Sequence, residues 1–212
     1  MSRSRKPLVG MLVVVAVMTM ARPVLAGPPF ICHQFDIGSA ASLPWDPGDQ
    51  MRGRADYKVA NLVADTQALL AASTPIVVRM ETLRRATLYA THDRQAAARL
   101  LAALTERADA LEREGRPNGL AWFDVAYITE AFRETATLAT DSRARWQDIG
   151  GLAGTVDGYA LILKSLTLRP NDPGIEFAAA LLSRGEARQA HVVKVRAAAD
   201  RDPLLARNIK YL

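Results

Sequence analysis

Apolar and polar positions alternate along this chain with the period of a helix, not of a strand. Val59, Leu62, Val63, Thr66, Leu69 and Leu70 fall on one face of a 3.6-residue repeat. Ser73-Thr74-Pro75 ends that helix and starts another, with Thr as cap and Pro at the first helical position. In the second helix Ile76, Met80, Leu83 and Thr87 share a face, while Arg79, Arg84 and Arg85 project elsewhere and read as a solvated surface. Glu81 is spaced to pair with Arg84 or Arg85. Asp93 caps a third helix with a stripe at Ala97, Leu100, Leu101, Leu104, Ala108 and Leu111, which Gly115 and Pro117 end.

Asn118 caps a fourth helix, where Trp122, Val125, Ala126 and Thr129 share a face. Phe123, Tyr127 and Phe132 widen that face, so burial on more than one side is expected. Residues 141–154 read as a loop with Gly150, Gly151 and Gly154, suited to movement or function. Thr155 starts a fifth helix with Val156, Tyr159, Ile162, Leu163 and Leu166 inward. A sixth follows Asn171-Asp172-Pro173, a seventh spans about 186–199, and Asp202-Pro203 caps a short last one. No strand emerges. The expected fold is all-α, an array of about seven to eight antiparallel helices over residues 55–212. It is built either as a regular repeat or as an irregular bundle.

Two other segments precede it. Residues 27–54 hold four prolines and no helical period, but Phe30, Ile31, Phe35, Ile37, Leu43 and Trp45 are too many apolar side chains for a solvated tail. The expectation is a non-helical arm lying against the helices. Residues 1–26 have the layout of a signal peptide. Arg3, Arg5 and Lys6 lead into the uncharged run Leu8–Ala21, and Val24-Leu25-Ala26 forms a cleavage site before Gly27. That run is 14 residues, shorter than the about 20 needed to span a bilayer. A secreted or periplasmic protein, cleaved after Ala26, is expected. An uncleaved leader would be its only membrane attachment.

Charge changes once the leader is removed. The full chain has 27 basic and 22 acidic residues. Loss of Arg3, Arg5, Lys6 and Arg22 leaves 23 against 22, so no basic surplus remains to bind phosphate backbones. Nucleic acid is excluded as an expected partner. With a single cysteine, Cys32, packing alone must hold an exported fold.

The C-terminal part, about 156–212, carries a pattern of small and large residues. Gly158, Ile162, Ser165 and Pro170 have the spacing of a repeat's second helix. Phe177 and Ala180, then Ala190, Lys194 and Ala197, follow in a second unit, with Pro203 six positions on instead of five. This stretch resembles the tetratricopeptide repeat (TPR) family. It departs from that family at Lys194, where a large apolar residue is usual, and in lacking a Trp-Leu-Gly signature. The resemblance implies an adaptor or scaffold that holds a protein or peptide on a concave face.

Candidate chemistry is sparse. Cys32-His33 is the only adjacent pair with nucleophile or ligand character, and it carries the alternative of an exported ligand-binding or redox protein. A zinc site would need two more ligands, and His92 and His191 stand alone in the sequence. Asp124, Glu130 and Glu134 read as a solvated acidic face, and Trp122, Phe123 and Trp45 as core. No phosphate loop, zinc-protease or nucleophile-elbow motif occurs. Neither a catalytic residue, a cofactor nor a metal is assigned, and the balance leans against an enzyme.

Overall fold

The computed structural model describes residues 30–46, 48–138 and 146–212. The leader with its site after Ala26, the first three residues of the arm, and residues 141–145 of the glycine loop lie outside the described residues. Among those described, eight α-helices pack antiparallel and no strand forms. They are α1 (Leu62–Leu69), α2 (Ile76–Ala90), α3 (Arg94–Arg113), α4 (Gly119–Thr135), α5 (Gly158–Leu168), α6 (Pro173–Leu182), α7 (Gly185–Ala198) and α8 (Pro203–Asn208). None is long and apolar enough to cross a membrane.

Side-chain caps fix most of the starts. Asp93 accepts from the Gln95 and Ala96 amides, Asn118 from Ala121, Asp157 from Ala160, and Asp202 from Leu204 and Leu205. Each satisfies backbone donors that the first helical turn leaves free. Two expected starts move. The first helix was expected at residue 55, but α1 begins at Leu62 after a 3-10 turn at Val59–Asn61, because Tyr57 instead packs on Tyr89, with ring centroids 4.3 Å apart. Thr155 gives way to Asp157 as the cap of α5. Thr74 does not cap α2 either. Its hydroxyl donates backwards to the Leu69 carbonyl at 2.8 Å, closing α1.

Helix α4 is the centre. All of Gly119–Thr129 is buried, and α2, α3, α5 and the 3-10 turn Gly150–Ala153 pack around it. That turn occupies the part of the glycine loop expected to be mobile. The α4–α5 crossing is close because of small residues. Ser165 Oγ donates to the Gly119 carbonyl at 2.7 Å, and a methyl group on Gly158 would come within 2.4 Å of Glu130 Oε1. In α3 the buried stripe is Ala96, Ala97, Leu100, Leu104 and Ala108, with Leu101 and Leu111 half-buried at its edge. In α7 the inward residues are His191, Val192 and Val195, whereas Ala190, Lys194 and Ala197 face solvent. The second unit of the expected repeat therefore has a different register, with His191, Val192 and Val195 on the packed face.

The charged residues of α2 are the main correction. Arg79 and Arg84 are fully buried, not solvated. Arg79 grips Asp124 of α4 through two bonds of 2.9 and 2.7 Å, and donates to the Ala71 and Leu70 carbonyls at the end of α1. Asp124 is 1% exposed, so it too leaves the expected acidic face. Burial pushes its carboxyl up to about 6, against the opposing pull of Arg79.

Arg84 and Arg85 share Glu81, which also accepts from the Phe35 amide at 3.1 Å. Arg84 continues to the Ile31 and Gln50 carbonyls, and Arg85 to Leu43. These bonds lay the arm across α2, where Ile31, Phe35, Ile37 and Leu43 are buried. The C-terminal end holds the same arm. Asn208 exchanges two bonds with the Asp36 backbone, and Tyr211 donates to the Gln34 carbonyl at 2.8 Å.

Candidate functional site

The turns between helices build an open groove of about 550 Å³. One wall is the α1–α2 loop, from Ala72 to Pro75. The opposite wall is the α5–α6 turn, from Leu168 to Pro173, and Leu204 of α8 closes the end. Ile76, Val77 and Leu120 supply buried apolar lining, whereas Ser73, Pro170 and Asn171 are exposed.

Local chemistry makes the α5–α6 wall stiff. Asn171 takes φ +62°, a left-handed conformation that asparagine tolerates better than most residues. Asp172 caps α6 with one oxygen, accepting from Gly174 and Ile175. Its other oxygen accepts from Arg169 at 2.9 and 3.0 Å. A pre-formed trough in which Ile76, Val77, Leu120 and Leu168 alternate with fixed polar groups such as Thr74, Asn171 and Asp172 suits capture of a short chain segment through both its side chains and its backbone.

Cys32 and His33 lie in the arm beside α2 and the C-terminal turn. His33 stacks on Tyr211, with centroids 4.4 Å apart. Cys32 is half-buried beside Leu88, Leu138 and Trp146. Burial raises the Cys32 thiol pKa, Glu134 adds to the rise, and Arg84 only opposes it. That is the reverse of the electropositive setting that activates a thiol. Thiol modification measured against pH should therefore show a midpoint above the free value of about 8.5, and His33→Ala should leave it in place. A midpoint below that value in the wild type, moving up in the variant, would restore the redox reading. Among the described residues no group of three or more His, Cys, Asp and Glu side chains is placed to hold a metal.

Sequence reasoning missed a second constellation. Tyr159, Glu176, His191 and Lys194 come from three helices and meet at the α5–α6–α7 junction. Their spacings, from 3 to 35 residues, follow no local pattern, so only the fold joins them. Trp122, expected as core, is buried but also carries Lys164 over its ring at 3.7 Å.

The fold and groove define an all-α helical array. Comparison of the chain with models of protein families, with characterised proteins and with solved structures finds no match.

Proposed function

We propose that the protein is an exported, non-enzymatic helical scaffold that holds a segment of a protein or peptide partner in the cell envelope. The groove carries this reading. It is open, lined by both polar and apolar groups, and walled by turns that Asp172 and Arg169 keep in place. The leader supports export. The buried Gly158, Ile162 and Ser165 support reading α5 as the second helix of a TPR-like repeat, with α6 as the first helix of the next, the kind of array that builds such recognition surfaces. The uncharged balance of the chain after residue 26 supports a protein partner over nucleic acid.

Filling the groove tests it. Ser73 is exposed on the groove wall, so Ser73→Trp should change stability by no more than about 0.5 kcal/mol. Envelope extracts passed over the wild type and the variant should show at least one protein retained by the first and lost from the second. Identical retention on both chains would exclude the groove as the binding surface.

A further inference from the structure

Three helices meet at the imidazole of His191. Its Nδ1 lies against Glu176 Oε2, and its Nε2 is 2.8 Å from the Tyr159 hydroxyl. Lys194 holds the other Glu176 oxygen at 2.8 Å. His191 and Glu176 are 6% and 4% exposed. An ionised carboxylate only accepts, so Nδ1 carries a proton, and in the neutral ring Nε2 accepts from the phenol. Hydroxyl, base and orienting carboxylate thus stand in the order that activates a nucleophile.

We propose that Tyr159 is a nucleophilic hydroxyl, with His191 as its general base and Glu176 as the residue that positions the imidazole, and that it accepts a group from a tetrahedral electrophile of the phosphoryl or sulfonyl class. In the step Tyr159 Oη attacks the central phosphorus or sulfur and a new O–P or O–S bond forms. The bond to the leaving group breaks and the leaving group takes the electron pair. The phenol proton passes to His191 Nε2 and then to the leaving group, with no change of oxidation state.

Neighbouring groups suit a charged tetrahedral centre. Lys194, 58% exposed, acts electrostatically on Tyr159. The Ser183 hydroxyl is buried beside Tyr159 and interacts with its phenol oxygen, opposing the rise in its pKa. Burial, with Glu176, raises the Tyr159 pKa, so the phenol needs a base to react near neutral pH. Three other tyrosines have different partners. Tyr57 donates to Asp65, Tyr89 to the Pro44 carbonyl and Tyr211 to the Gln34 carbonyl. The group ends on Tyr159 itself, a single stoichiometric transfer without turnover, so the proposal stands beside the non-enzymatic reading and does not depend on what the groove binds.

An aryl sulfonyl fluoride applied to the intact chain is the probe, with peptide mapping as the readout. Tyr159 should be labelled about a hundredfold faster than Tyr57, the low end of general-base assistance. His191→Ala should bring it down to the Tyr57 rate, and added imidazole should restore it. Glu176→Gln should slow Tyr159 and leave Tyr57 unchanged. A merely structural histidine would alter melting without any rescue by imidazole. Equal labelling of Tyr159 and Tyr57 in the wild type overturns the proposal, and so does a fast Tyr159 that His191→Ala does not slow. Should His191→Ala lose its cooperative melt, the wild-type comparison decides.

Discussion

Asp124→Ala should destabilise the protein by about 3–5 kcal/mol, because it leaves the Arg79 guanidinium charged, fully buried and without its carboxylate. Arg79→Met with Asp124→Leu together should do far less harm, and should equal or exceed the wild type, since apolar pairs of similar volume often replace buried ion pairs without loss. The pH dependence has a definite sign. The Asp124 pKa is about 6 in the folded chain, against about 3.9 unfolded, so the folded state binds this proton more tightly. Its contribution to stability is complete below about pH 4 and is lost as pH rises through about 6. Urea unfolding of wild type and double variant between pH 4 and 7 would reveal the difference in slope. A double variant as damaged as Asp124→Ala would show that the pair is needed for more than charge balance.

Glu81→Ala should have an effect of the same size, about 3–5 kcal/mol, and a more local signature. Glu81 is the shared acceptor for Arg84, Arg85 and the Phe35 amide. Without it two guanidinium groups that hold the arm lose their anchor. Amide exchange should accelerate first at residues 31–43, before α4 is affected. Uniform loss of protection along the whole chain would show that arm and helices open as one unit.

Much of the fold was legible because caps and periodicity are local. Asp93, Asn118, Asp172 and Asp202 stand where their helices start, and α4 is buried all round as its aromatic residues indicate. Glu81 with Arg84 and Arg85 was legible for the same reason, being three and four residues apart. The burial of Arg79 was not. Its partner is 45 residues away, and nothing within one helical turn distinguishes a charge that finds a distant carboxylate from one that faces water. The groove was illegible for a related reason, since its walls are turns that meet only when α5, α6 and α8 have packed. Ala190, Lys194 and Ala197 misled because spacing alone does not say which of two faces has a neighbour.

The grip of Asn208 and Tyr211 on residues 34–36 joins positions 172 to 177 apart in the chain. It sets an order of events for a polypeptide delivered from its N-terminus. The helices can begin to pair as they emerge, because most of their contacts are between neighbours. The arm cannot be fastened at both ends until α8 and the turn after it arrive. Until that moment Phe35 has its contacts with α2 and with Phe177 of α6 but lacks the Tyr211 ring. A chain lacking residues 203–212 would therefore leave the arm fastened at one end and its apolar side chains less covered, open to non-native association.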